Sequence, residues 1–418
     1  MSSQLIESKL CNDQGQIAWQ LAIVGVIAAI LPVLVFAREA SPLLCVLLLV
    51  TLVGASYARG DTDEALATLR RWLGRPEAYV LIAALALLSL SVMWSPATEH
   101  GAVHAFRVVI AALLIAALLA FGSITRLKSL RLALALSLAT GAALLIANLL
   151  VDDETRRWIG LSPDLWRMNR AAVAIVLFAP ISLVLLWRSS RMSAVGLAGL
   201  CLPAVFLSFS ESAQFAALVA AAVWTASALN PIIIHRIVGT AMVTALLAMP
   251  FVVRYANELV PAAIHEKVGY GTLTIRGEIW TAFADLIPER PLLGYGIDAS
   301  NIIAKTPIAA GLPENVRELL ALTHPHNAPL QVWFELGFIG ALFAALLAIF
   351  ALRAMERLPV ERLGAATATA AAVFTVSSVS HGAWQSWWFC LVGLVATMYA
   401  MLPPRLEDVS GPRSSASS

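Results

Sequence analysis

Thr323-His324-Pro325-His326-Asn327-Ala328-Pro329-Leu330-Gln331-Val332-Trp333-Phe334-Glu335-Leu336-Gly337-Phe338-Ile339-Gly340 closes the one long polar segment of this chain and runs into an apolar one. Asn327 has the side chain of a helix N-cap, and Pro329 suits a first helical turn. The spacing predicts a helix from about residue 328 onward, long and apolar enough to cross a membrane. Glu335 falls two turns inside it, where an ionised group needs a partner or a water-filled cavity. Gly337 and Gly340 lie three apart on one face, which predicts close helix packing. His326 stands at the mouth of that helix. The positive end of the helix dipole disfavours imidazolium, so the ring stays able to take a proton. His324, offset by two residues, is a second candidate that would orient a substrate. A capping or headgroup-binding histidine is the plainer reading, and helix logic alone leaves it open.

The rest of the chain supplies the membrane. It has 418 residues, 60% hydrophobic and 13% charged, with mean hydropathy +0.81. That composition excludes a soluble globular protein. Apolar stretches at roughly 17–37, 41–57, 78–94, 104–122, 131–151, 170–187, 193–209, 212–229, 232–253, 328–352, 363–380 and 383–402 predict twelve spans. The period-two alternation of a membrane barrel is missing. The expected class is an all-α polytopic membrane protein with one large loop over 254–327, a retained first span and a disordered tail after 403. The net charge of +2 is spread along the loops, and no basic patch with interleaved aromatics points to nucleic acid. Cys11, Cys45, Cys201 and Cys390 lie outside the long loop, which predicts no disulfide and no cysteine metal site.

Loop charge predicts orientation. Sixteen Lys and Arg, from Lys9 and Arg59 to Arg405 and Arg413, fall in segments on the side of the termini. Only Arg38, Arg156, Arg157, Arg167 and Arg170 fall in short loops opposite. Both ends are therefore expected in the cytoplasm and the long loop in the periplasm. Residues 60–77 read as a short amphipathic helix on the cytoplasmic surface, capped near Asp61 or Thr62 and ended by Pro76.

Within the long loop, Gly and Pro punctuation predicts three short helices, at 255–266, 275–287 and 313–322. In the middle one Ile279, Trp280, Phe283, Leu286 and Ile287 share an apolar face, and Arg276 lies four residues before Trp280 on the same side. Its guanidinium is expected to point inward, as a headgroup anchor or an anion ligand. Arg107, Arg170, Arg254, and the Glu211 and Gln214 of a tight hairpin, all fall near the same predicted surface. Singly each reads as a snorkelling or topology residue. Together with Arg276 the arginines would line a positive pocket, whose natural guest is phosphate or diphosphate.

At this point the chain resembles the O-antigen ligase family. The family's pattern of His, then Asn, Ser or Gln, nine residues, Gly, two residues and Gly reads here as His326, Asn327, residues 328–336, Gly337 and Gly340. The twelve predicted spans with a loop after the ninth also fit. The chain departs from the family where a basic residue is often followed three later by Leu: here Ile279 and Trp280 follow Arg276. A Ser-Arg-Gly-like turn is replaced by Ser210-Glu211-Ser212-Ala213-Gln214, so the second diphosphate ligand is open, with Arg170 as substitute. The Pro291…Gly294-Tyr295-Gly296 turn also looks familial and reads as structural.

The resemblance implies a metal-independent, inverting glycosyltransferase without a cofactor. Its donor would be a glycan on undecaprenyl diphosphate, and its acceptor a sugar hydroxyl of lipid A-core. His326 would be the general base. Arg276, Arg170, Arg254, His324, Asn327, Glu211, Gln214 and Trp280 would bind substrate. The nearest alternatives are an O-antigen polymerase and an O-linked protein oligosaccharyltransferase. The single loop and the lack of a further carboxy-terminal domain favour the ligase. A transporter is the alternative of another class, disfavoured because no inverted repeat is evident and the polar residues gather at one surface.

Overall fold

The computed structural model describes residues 3–158, 160, 164–259, 273–322 and 324–402. All regular structure among them is helical. Long helices run over Ser3–Phe36 (α1), Ser41–Arg59 (α2), Pro76–Leu90 (α4), Thr98–Ile124 (α5), Leu130–Leu150 (α6), Asn169–Trp187 (α8), Arg191–Phe206 (α9), Glu211–Ser227 (α10), Pro231–Leu259 (α11), Ala328–Met355 (α15), Val360–Val379 (α16) and Ser386–Ala400 (α17). Shorter ones are Thr62–Leu73 (α3), Asp153–Trp158 (α7), Leu273–Leu286 (α12), Pro307–Ala310 (α13) and Glu314–Ala321 (α14). Among the described residues, eight segments are long and apolar enough to cross a membrane, and α9 and α17 are shorter apolar helices. The remaining two expected spans coincide with α10 and α16, which carry more Ala, Ser and Thr than Leu.

The centre of the bundle is α8, buried without a break from Ala171 to Phe178. It packs against α1, α6, α9, α10, α16 and α17. Small residues let these helices approach: a Cβ on Gly141 would sit 2.5 Å from Leu31 Cβ, and one on Gly393 2.5 Å from Ile115. At the other flank α15 packs on α4, α11 and α16.

Several boundaries differ from the sequence reading. Residues 255–259 continue α11 instead of opening a loop helix, because no breaker intervenes after Pro250. The remainder of that expected helix, and the tail from 403, lie outside the described residues. Pro76 opens α4, while α3 stops at Gly74. Asp61 does not cap α3 with its side chain; it bonds Ser56 and the Arg59 guanidinium instead.

The main correction concerns Gly337, which is no packing glycine on a continuous helix. It adopts φ 64, ψ −161 and breaks α15 in two, in a region open essentially to glycine alone. The turn 291–296 docks into the break. Phe338 N donates to Pro291 O at 2.8 Å and Ile339 N to Leu292 O at 3.2 Å. Tyr295 N and Gly296 N donate to the carbonyls of Phe334 and Glu335 at 3.0 and 2.8 Å. The loop thus replaces the backbone bonds that the helix gives up. The middle loop helix, α12, buries Ile279, Phe283 and Leu286 as its periodicity predicts. Phe283 meets Phe334 edge-on at 4.9 Å, and Tyr295 stacks on Phe334 at 4.8 Å.

Candidate functional site

The start of α15 is built as its sequence implies. Asn327 Oδ1 accepts from Leu330 N at 2.9 Å, and its Nδ2 faces Met249 Sδ at 3.5 Å. Asn327 is buried and its amide is spent on the cap. Just before it, His326 takes a left-handed backbone, φ 52. That bend folds the two histidines onto each other, with ring centroids 4.2 Å apart.

Their hydrogen bonds define two different tautomers. His326 Nδ1 lies 2.9 Å from the carbonyl oxygen of His324. A carbonyl only accepts, so Nδ1 carries the proton and Nε2 keeps its lone pair. The backbone N–H of His326 donates to Nδ1 of His324 at 3.1 Å. In neutral His324 the proton therefore sits on Nε2, which can only donate. Of the two, His326 has the geometry of a base and His324 that of a donor.

Electrostatics hold both rings below the ordinary imidazole pKa. Burial, and then the Arg276 guanidinium, hold His326 below the ordinary imidazole value, opposed by the His324 carbonyl. Burial first and His326 second push His324 down to about 4. The causes of both shifts are burial and neighbouring groups, and the helix dipole is not among them.

Arg276 reaches inward as its helical face predicts. Its Nη1 donates to Val379 O at 2.8 Å, at the end of α16. Burial lowers its pKa, and the Glu211 carboxylate opposes that shift, so Glu211 belongs to the same cluster. Trp280, one turn on, donates from Nε1 to Pro325 O at 2.8 Å and props the bend that carries the histidines.

Arg170 reaches the same region from α8. Its guanidinium lies 4.1 Å over the Trp387 ring and 3.1 Å from Glu39. It also acts electrostatically on His381. Two expected ligands are engaged elsewhere. Arg254 pairs with Asp285 at 2.8 Å, at the far end of α12 from Arg276. Those positions are nine residues apart, about 13 Å along a helix. Gln214 Nε2 donates to Ser208 O at 2.8 Å and to Phe206 O at 3.4 Å, closing the end of α9.

Beneath the histidines lies a polar knot that the sequence reading only half anticipated. Glu335 is fully buried. It accepts from Asp298 N at 2.6 Å, Ser300 N at 3.2 Å, Ser300 Oγ at 2.6 Å, Gln331 Nε2 at 2.9 Å and Trp384 Nε1. Every partner donates, which suits an ionised carboxylate with no proton to place. Gln331 Oε1 accepts from Ala383 N at 2.8 Å and ties the 380–385 connection to α15.

His381, Trp387 and Trp388 were missed altogether. The signal present was the run His381-Gly382-Ala383-Trp384-Gln385-Ser386-Trp387-Trp388 at the predicted outer end of a span, aromatic and titratable together. Beside this cluster opens an apolar groove of about 900 Å³. It runs along α15 from Ala328 past Gly340 and Leu347 to Ala354, with Trp388 at one end and Trp72 at the other.

Residues 196–345 match the family model described as O-Antigen ligase. That stretch holds both histidines, Asn327, Arg276, Arg254, Trp280, Glu211 and Gln214. A protein of Rickettsia prowazekii (strain Madrid E) named as a polysaccharide ligase is 30% identical over 37% of this chain and 38% of its own length. One of Rickettsia conorii (strain ATCC VR-613 / Malish 7), named likewise, is 28% identical over the same shares. A third, of Rickettsia felis (strain ATCC VR-1525 / URRWXCal2), is 24% identical over 64% of this chain and 65% of its own. The first two matches thus span little more than a third of those relatives. No solved structure matches. Over residues 196–345, the stretch that carries both histidines, the chain is similar to the O-antigen ligase family.

Proposed function

We propose that the protein transfers a glycan from undecaprenyl diphosphate to a sugar hydroxyl of lipid A-core, at the periplasmic face of a bacterial inner membrane. In this reading all twelve long helices span, both termini are cytoplasmic, and α12 to α14 form the periplasmic loop. The observation that carries the reading is the hydrogen bond from His326 Nδ1 to the His324 carbonyl, which leaves a lone pair on Nε2 of a ring whose pKa burial and Arg276 depress.

The chemistry follows from those two groups. The acceptor hydroxyl attacks the anomeric carbon, and its proton passes to His326 Nε2. The new C–O bond forms on the face opposite the diphosphate as the old C–O bond breaks, so the anomeric centre inverts. The bonding pair leaves with the diphosphate. Arg276, with Arg170 across the site, stabilises that charge in the electrostatic role that a metal plays elsewhere. The groove along α15 suits a polyprenyl chain: the 27 residues from Ala328 to Ala354 cover roughly 40 Å, against about 30 Å of hydrocarbon. A carrier lipid lying there would bring its diphosphate to the histidine end.

Reconstituted protein given undecaprenyl-diphosphate oligosaccharide and lipid A-core tests the proposal. Product with inverted anomeric configuration, formed in excess chelator and lost in His326→Ala, is expected. Full turnover by His326→Ala would remove the base assignment. Transfer onto a second lipid-linked glycan but not onto lipid A-core would make the enzyme a polymerase.

A further inference from the structure

His381 is less than a tenth exposed, and its Nε2 has no hydrogen-bond partner among the described residues. The Ser380 carbonyl opposes the lowering of the ring's pKa, the sign of a ring N–H facing it; with that proton on Nδ1, the buried Nε2 is an acceptor with a lone pair. The ring cannot turn to find another donor. It stands edge-on between Trp387 at 4.8 Å and Trp388 at 4.9 Å. Trp388 is pinned in turn through Nε1 to Ser377 Oγ at 3.1 Å.

The ring belongs to the histidine cluster. On the adjacent Gly382 a Cβ would lie 3.2 Å from both His324 Cδ2 and Gln331 Oε1. The 380–385 connection therefore rests directly on the His324 ring. Burial first, then Arg170, push the His381 imidazole down to about 3, with His324 and His326 adding to the effect against the Ser380 carbonyl. An uncharged acceptor offers nothing to a phosphate oxygen. What it can hold is an O–H group. Arg170, lying on Trp387 beside it, has the opposite chemistry and suits phosphate.

We infer that Nε2 of His381 accepts a hydrogen bond from a hydroxyl of a bound sugar, which makes His381 a third substrate-contacting histidine of the site. The inference rests on the glycosyl-transfer reading above. Native proteins seldom keep a buried acceptor unpaired without a use, and both substrates of that reaction bring hydroxyls to this spot. The hydroxyl belongs to the donor glycan or to the acceptor, and kinetics separate the two.

The test uses full-length His381→Leu and His381→Gln in nanodiscs, with undecaprenyl-diphosphate oligosaccharide and lipid A-core varied in turn. Leu removes the acceptor atom, whereas the Gln amide oxygen falls close to the Nε2 position. For Leu, kcat/KM for one substrate should fall about three- to tenfold, the range for one neutral hydrogen bond. Gln should restore most of it, and both should melt with the wild type. The substrate affected names the source of the hydroxyl. Wild-type kinetics with the Leu variant, or a Gln variant as impaired as Leu, overturns the inference. If Leu does not fold, wild-type protein with 15N-labelled histidine decides: an Nε2 resonance unmoved by either substrate overturns it equally. An active His326→Ala would instead sink the base assignment, whatever His381 does.

Discussion

His326 gives its backbone N–H to Nδ1 of His324 and its ring Nδ1–H to the carbonyl of the same residue, at 3.1 and 2.9 Å. Two histidines of the same chemistry thereby present different ring nitrogens, a lone pair on Nε2 of His326 and an N–H on Nε2 of His324. The left-handed backbone at His326 makes the reciprocal pair possible.

Substitutions of the two should therefore be unequal. His326→Ala is expected to lower kcat by about 10²- to 10⁴-fold, the usual span for a lost general base. His324→Ala removes one acceptor of a backbone N–H and should lower kcat about tenfold at most. Single-turnover rates with pre-bound donor would measure both. Equal losses would mean that the tautomer argument fails.

The pH dependence has a definite sign. The His326 pKa is depressed, so the ring stays neutral above its folded value and is lost as a base only as pH falls through it. The acid limb of kcat/KM should lie below about 6.5, the unperturbed imidazole value. Arg276 contributes to the depression. Arg276→Met should accordingly move the limb upward, and Arg276→Lys should leave it nearly in place. A limb that moved down in the Met variant would contradict the proximity of charge and ring.

Gly337→Ala should destabilise the fold. The backbone region alone costs about 1–3 kcal/mol for a side-chain-bearing residue. In addition, the new Cβ would lie 2.3 Å from the Leu292 carbonyl carbon. Gly196→Ala, with nothing within 4 Å of its Cβ, is the control. Thermal melts in detergent should fall for the first and hold or rise for the second.

Glu335→Gln replaces one carboxylate oxygen by an amide NH₂ amid five donor contacts. A mismatched buried pair costs about 1–3 kcal/mol. Hydrogen exchange should rise at Asp298 and Ser300, whose amides point at the carboxylate. Unchanged protection there would show that the backbone contacts hold without the charge.

Local patterns in the chain were sufficient for some of this. Each apolar run falls on a long helix among the described residues, eight of them long and apolar enough to cross a membrane, although α1, α5 and α11 extend six or more residues beyond the expected bounds at one end. Asn327 was legible as a cap because capping depends on a residue and the three that follow it. The inward face of α12 was legible because helical spacing alone puts Arg276 above Trp280. Gly337 was legible as a motif residue but not as structure. Gly337 looked like a packing surface because nothing near it in sequence reveals the 291–296 turn that fills its break.

What the sequence by itself determined is therefore whatever repeats or caps within a turn or two: a helical membrane protein, an imidazole at a helix mouth and a guanidinium facing inward. Only the tertiary structure decided which distant side chains share a space. It brought Arg170 and His381 together with the histidine pair, tied Arg254 to Asp285, and spent Gln214 on a helix end. The reason is physical. Periodicity sets which face of a helix is apolar, but the packing of small-residue faces, as at Gly141 and Gly393, sets which helices become neighbours.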